Sequence, residues 1–306
     1  MSAAGGERPG PWPSPRAVAE LVRAPAALTV PGDALAGAAA AGWPFGAATP
    51  ALALSSTLLY WAGMALNDYA DRDLDAVERP ERPIPSGRVR PCFALGLSAG
   101  LTAAAIGAAG LAGGRRALGV AVPLAATVWA YDLALKATPV GPAAMAASRS
   151  LDVLLGAGTG RLREAMPPAA IVGAHTLAVT ALSRREVSGG GPVLPATTLA
   201  ATGAVAFAAA AWPVARRGHG RASRLFRQVA GAGLLSFYVS TAGRAQLAAV
   251  VDPGADRIRR AVGAGILGLI PLQASLAART GALPAAAAVA AGFPLARRLS
   301  RKVSPT

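Results

Sequence analysis

"PCFALGLSAGLTAAAIGAAGLAGG", residues 91–114, runs for 24 positions without a charged side chain. A helix crosses the hydrocarbon core of a bilayer with about 20 predominantly apolar residues, so this stretch reads as a membrane span. Residues 47–66 and 187–215 are also free of charge, over 20 and 29 positions. Several such stretches joined by short charged links describe a polytopic helical membrane protein.

The composition of the whole chain agrees. Of its 306 residues, 53% are hydrophobic and 15% charged, where a soluble domain carries about a quarter charged; the mean hydropathy is +0.44. The net charge of +15 does not mark a nucleic-acid binder. Such proteins display Lys and Arg on a soluble scaffold, whereas here Arg clusters between apolar spans, where it meets lipid headgroups and sets orientation. No nucleic-acid partner is expected. The single cysteine, Cys92, excludes an internal disulfide and a Cys-based metal cluster and is expected to pack at the head of a span. Residues 1–23 lack a continuous apolar core followed by a small-residue cleavage site, so no removable signal peptide is expected.

The expected spans cover roughly 17–42, 47–67, 91–113, 115–133, 140–159, 167–183, 192–213, 225–249, 260–279 and 282–298. The fold class is all-α: a membrane bundle of nine or ten helices around a central cavity. Its abundant Gly and Ala allow close helix approach. Residues 1–16 form a polar leader, 17–298 the transmembrane domain and 299–306 a basic tail. With a cytoplasmic N-terminus, the 68–90 link faces the cytoplasm, together with Lys136, Arg184, Arg185, Arg257, Arg259 and Arg260. Arg216, Arg217, Arg221, Arg224 and Arg227 run against this bias, which the first helices usually dominate. The expected location is the inner (cytoplasmic) cell membrane.

Residues 67–89, "NDYADRDLDAVERPERPIPSGRV", hold six of the fifteen carboxylates within fourteen positions. If the preceding helix continues to about residue 75, Asn67, Asp68, Asp71 and Asp75 share one face while Asp73 points away. Like charges at this spacing repel, and a helix C-terminus disfavours anions. A bound cation relieves both effects, and carboxylate and amide oxygens suit Mg²⁺ shared with substrate phosphates. The alternative is a charged loop that caps a membrane helix and pairs with Arg72, Arg79 and Arg82.

"NDYADRDLD" followed by "RPIPSGRV" resembles the first aspartate-rich motif of the UbiA superfamily of intramembrane prenyltransferases, and the many-helix layout of the chain matches that resemblance. It implies Mg²⁺ held by Asn67, Asp68, Asp71 and Asp75, an isoprenyl diphosphate donor, and transfer of its allylic carbon to an aromatic or other acceptor. Arg82 and Arg88 fall where the family has basic residues near the diphosphate. "YDLALKATPVGP" resembles the segment that makes Lys136 a further diphosphate ligand. "SRSLDVLLGAG" and "LSRREVSGG" look like the EboC-type branch. The family's second aspartate-rich motif has no counterpart: "HTLAVTALSRREVSGGG" contains no aspartate, and Glu186 is its one carboxylate. Either Arg184 and Arg185 neutralise the diphosphate directly, or the site binds a prenyl lipid without turnover.

Arg149 and Asp152 lie three residues apart within an apolar span. Charge at mid-membrane is costly, so they either pair with each other or face the cavity, with Asp152 near acceptor or metal. Asp152 joins Asp68, Asp71 and Lys136 as a catalytic candidate. His175 reads as a hydrogen-bonded bundle histidine or as a general base. Trp61, Trp129, Tyr60 and Tyr131 fit interfacial anchoring. The reading is a Mg²⁺-assisted membrane prenyltransferase with an unidentified aromatic or small polar acceptor. The alternative is a non-catalytic membrane protein that binds or transports a prenyl lipid or related metabolite.

Overall fold

The computed structural model describes residues 12–42, 46–214 and 221–299. The expected first span, 17–42, is broken in two. Helix α1 (Pro15–Leu21) starts at a proline, with Ser14 Oγ accepting from Ala17 N at 3.2 Å. Arg23 then adopts left-handed dihedrals (φ 46, ψ 47), a 3₁₀ turn covers Ala24–Thr29, and α2 runs over Pro31–Ala41. Proline has no N–H to extend a preceding helix. Pro25 and Pro31 therefore interrupt a segment whose apolar content alone reads as continuous. The last residues of the expected leader are docked, Trp12 standing edge-on to Phe93 at 6.3 Å. Residues 1–11 and most of the basic tail lie outside the described residues, as do Arg216 and Arg217.

Helix α3 spans Ala48–Ala70, and a short α4 spans Arg72–Glu78. Helix α5, Pro91–Ala130, is interrupted at Gly114 (φ 58, ψ −147) and ends in a π turn over Tyr131–Leu135. Trp129 Nε1 donates to Thr102 Oγ1 at 3.1 Å across 27 residues. Along one straight helix these groups would stand about 40 Å apart. The two expected spans, 91–113 and 115–133, are thus antiparallel legs of a hairpin, and the exposed Arg115 and Arg116 mark its tip.

The first leg packs against α3, with Ser55 Oγ donating to Ala105 O at 2.7 Å and Ser98 Oγ to Ala62 O at 2.9 Å. The remaining helices are α6 (Gly141–Gly156), α7 (Leu162–Ser183), α8 (Val193–Ala211), α9 (Arg221–Val251), α10 (Ala255–Thr280) and α11 (Leu283–Leu299). The described residues contain no strand. Among the described residues, five stretches are individually long and apolar enough to cross a membrane: Pro91–Leu135, Leu162–Ser183, Val193–Ala211, Leu225–Val251 and Ala255–Thr280. The first of them folds back on itself. The protein is an integral membrane protein.

Backbone contact fixes the centre of the bundle. A Cβ on Gly156 of α6 would stand 1.9 Å from Ala34 O of α2, and one on Gly37 would stand 1.8 Å from Val153 O. Lipid supplies no hydrophobic drive between helices, so such proximity supplies the dispersion contacts that hold them. The close approach also brings Asp33 of α2 against α6, which carries Arg149 and Asp152. Gly156→Val should force these helices apart and destabilise the protein by about 1–3 kcal/mol or more, read as a lower melting temperature in detergent. Gly100→Ala, with nothing within 4 Å of its Cβ position, should leave the melting temperature unchanged or slightly raised.

Candidate active site

Helical hydrogen bonding continues from α3 into α4. Asp71 departs from helical dihedrals (φ −90, ψ 3), yet its N–H donates to Asn67 O at 2.9 Å, and Asp75 N donates to Asp71 O at 2.8 Å. The acids therefore keep the expected spacing even though α3 ends at Ala70. Asp73 points outward, with its side chain 88% exposed beside Arg72.

Each inward group meets a partner. Asp68 is held by Arg23 Nη2 at 3.2 Å and Arg82 Nη1 at 3.4 Å, and the same Arg82 nitrogen lies 2.6 Å from Asp75 Oδ2. Lys136 Nζ stands 2.5 Å from Asp71 Oδ1, a charge contact without hydrogen-bond alignment. Asn67 Nδ2 donates to Asp132 Oδ1 at 3.2 Å. Arg23 and Asp132 belong to this constellation although the sequence reading did not single them out. The signal for Asp132 was its position four residues before Lys136, on the same turn-end. Arg23 had only its place ahead of Pro25 to mark it.

Arg23, Asn67 and Asp132 stand at the mouth of a cavity of about 360 Å³. Its walls are apolar at Leu59, Gly63, Met64, Leu124 and Val128, and Tyr60 and Tyr131 also line it. The far end turns polar again with Ser56, Arg149, Asp152 and His175. Ser56 Oγ donates to Asp152 Oδ2 at 2.8 Å. Arg149 makes its ion pair with Asp33, Nη2 to Oδ2 at 2.8 Å, not with Asp152 as the sequence spacing invited. Asp33 is wholly buried, lies beside Asp152 and accepts from Gln273 Nε2 at 2.7 Å. His175 sits 2.9 Å from Tyr238 OH through Nδ1 and 3.0 Å from Gly265 O through Nε2. A backbone carbonyl only accepts, so Nε2 carries the proton and Nδ1 receives the tyrosine hydroxyl. Both ring nitrogens are therefore committed to tying α7 to α9 and α10.

Other candidates stand apart from the cavity. Arg88 pairs with Glu20 of α1 and donates to Glu81 O at 2.7 Å; that guanidinium holds the exposed Glu20 carboxyl below its ordinary range. Arg184 donates to Thr138 O, and to Lys136 O at 3.1 Å, so it braces the turn that carries Lys136. Arg185 is exposed. Burial raises the carboxyl of Glu186 above its usual value, against the opposing pull of Arg259 and Arg79. Cys92 is exposed, contrary to the packing expected of it.

Among the described residues, no three His, Cys, Asp or Glu side chains gather closely enough to hold a metal by themselves. The donor set still suits Mg²⁺, which is commonly bound by one or two carboxylates plus substrate phosphates. Asn67, Asp68 and Asp71 offer hard oxygens at a mouth where Lys136, Arg23 and Arg82 suit a diphosphate.

A model of the UbiA prenyltransferase family matches residues 28–215. Digeranylgeranylglyceryl phosphate synthase of Methanothrix thermoacetophila is 44% identical over 93 residues, 30% of this chain and 34% of that one. 4-Hydroxybenzoate octaprenyltransferase of Paraburkholderia phymatum is 52% identical over 52 residues, 16% of this chain and 18% of that one. The aligned stretch thus spans about a third or less of these relatives. A solved structure described as digeranylgeranylglyceryl phosphate synthase in membranes superposes with a TM-score of 0.60 at 14% identity, covering 87% of this chain and 98% of that one. The apo structure of a UbiA homolog from Aeropyrum pernix K1 gives 0.58 at 20% identity, covering 81% and 96%. At these identities the likeness is one of fold. The matches do not single out the EboC-type branch.

His175→Phe should remove the acceptor of the buried Tyr238 hydroxyl proton and the bond to Gly265 O, costing about 1–3 kcal/mol and lowering the melting temperature. Binding of a labelled isoprenyl diphosphate should stay within about twofold, since both ring nitrogens are already engaged within the bundle. A large loss of donor affinity without loss of stability would overturn the structural role.

Proposed function

The chain belongs to the UbiA prenyltransferase family, and from that premise we propose that it transfers an isoprenyl group from an isoprenyl diphosphate to an acceptor inside the bilayer. One observation carries the reading. Oxygen donors from α3 and the π turn meet three cations, Arg23, Arg82 and Lys136, at the mouth of a cavity whose middle walls are apolar. That pairing suits a ligand with an anionic head and an apolar body.

Asn67, Asp68, Asp71 and Asp75 are the residues that would hold Mg²⁺, with Asp132 beside them. The ion supplies Lewis-acid stabilisation of the charge that develops on the leaving diphosphate. Arg23 and Arg82 suit bidentate phosphate contact, and Lys136 acts as a point charge. Arg88, Arg184 and Arg185 contribute at one remove, by fixing the 81–88 loop and the Lys136 turn and by adding positive potential near the mouth. In the transfer, the bond from allylic C1 to the diphosphate oxygen breaks and its electrons leave with the diphosphate. A bond from C1 to the acceptor forms, and the acceptor's proton passes to the diphosphate. Leu59, Met64 and Val128 keep water from the electron-poor carbon. The Lys and Arg bias of the first helices favours a mouth on the cytoplasmic side of the inner membrane.

The test uses purified protein in detergent with labelled C10 to C20 isoprenyl diphosphates, with and without Mg²⁺, and reads pyrophosphate release. Asp68→Ala and Asp71→Ala should each lower release by about 100-fold or more, the scale of losing a preorganised electrostatic group. Release without Mg²⁺, or unchanged in both variants, would remove these residues from metal binding. Donor binding without any release in the wild type would favour a prenyl-lipid binder on the same fold.

A further inference from the structure

We propose that the far polar end of the cavity is the acceptor pocket, and that it selects a compact, uncharged molecule bearing hydroxyl groups. The proposal rests on the prenyltransferase reading and names the second substrate's class.

Depth comes first. Ser56, which holds Asp152, and Asn67, which holds Asp132, both lie on α3, eleven residues apart. At 1.5 Å per residue the floor is about 16 Å below the mouth. A diphosphate bound at the mouth places its allylic carbon one P–O–C linkage deeper, near Met64, about one turn below Asn67. The floor is therefore left for another molecule. It does not suit the prenyl tail either, because an apolar chain against Asp152 and Arg149 would leave their polar atoms without partners.

The chemistry of the floor then decides the class. Asp152 lines the floor and Asp33 lies wholly buried beside it, so two carboxylates share one guanidinium, and Arg149 already directs Nη2 at Asp33. His175 adds no free donor, since both of its nitrogens are engaged. A phosphate or carboxylate would meet Asp152 with no unmatched cation to receive it. The wall hydroxyls point the same way. Ser148 Oγ and Thr176 Oγ1 donate to Ala144 O and Val172 O at 3.1 and 2.9 Å, which leaves their oxygens to accept. Ser148, Thr176 and the unpartnered Asp152 Oδ1 thus present hydrogen-bond acceptors, and they complement a ligand that presents O–H donors.

The experiment uses purified full-length protein in detergent with labelled geranylgeranyl diphosphate and Mg²⁺. A small-molecule extract of the native host is divided on an anion exchanger into unretained and retained fractions. Binding of the labelled diphosphate is measured beside formation of labelled, diphosphate-free product. The expected result is product with the unretained fraction. Asp152→Asn should lower it about 10- to 100-fold and Ser56→Ala about fivefold, with donor binding within about twofold in both. Ser56→Ala keeps the test decisive if the Asp152 variant does not fold. Product with the retained fraction alone, donor binding with no product from either fraction, or unaltered transfer in both variants would each overturn the pocket assignment. A wild-type protein that binds no isoprenyl diphosphate would instead refute the prenyltransferase reading.

Discussion

Asp33 has no exposure at all, and much of the bundle is organised by that fact. A carboxylate removed from water costs several kcal/mol unless charge and hydrogen bonds replace its hydration. Here Arg149 supplies the charge, Gln273 supplies a hydrogen bond, and Asp152 lies alongside. These groups come from α2, α6 and α10, so the polar knot ties three helices whose other surfaces are largely Ala, Gly and Leu. It forms only because Gly37 and Gly156 allow α2 and α6 to meet at backbone distance. Packing without side chains and buried charge are two parts of one solution. The first brings the helices together, and the second discriminates against rotations that would leave a charge unpaired.

The mouth follows a different rule. Its carboxylates are distributed over cations from three parts of the chain: Arg23 before the first 3₁₀ turn, Arg82 in the loop after α4, and Lys136 after the π turn. Each acid is already matched, so a divalent cation and a diphosphate would rearrange existing pairs rather than fill an unsatisfied site. The loop after α7, where the family's second aspartate-rich motif was sought, carries no aspartate. Arg184 from that loop bonds the carbonyls around Lys136 and so supports the first half of the site mechanically.

What the sequence revealed depended on how local each pattern is. The apolar stretches and the spacing of Asn67, Asp68, Asp71 and Asp75 are properties of neighbouring residues, and both the all-helical class and the shared face could be read from them. The hairpin at Gly114 was legible because Arg115 and Arg116 divide two apolar runs. The broken first span was not, because hydropathy averages over Pro25 and Pro31. Asp33 and Arg23 were missed for a different reason. Each is a single charged residue whose partners lie more than forty positions away, at Arg149 and Asp68, and no short-range pattern announces such a pairing. The same limit explains why Arg149 looked like the partner of Asp152, three residues along its own helix.

The hairpin of α5 also bears on how the protein is made. Its two legs turn back at Gly114, whose dihedrals suit glycine and whose Cβ position is open. The indole N–H of Trp129 is satisfied by Thr102 of the opposite leg. This pair can therefore enter the bilayer together during synthesis, with that indole N–H already matched. The helices that follow need only dock against a piece that is already in place.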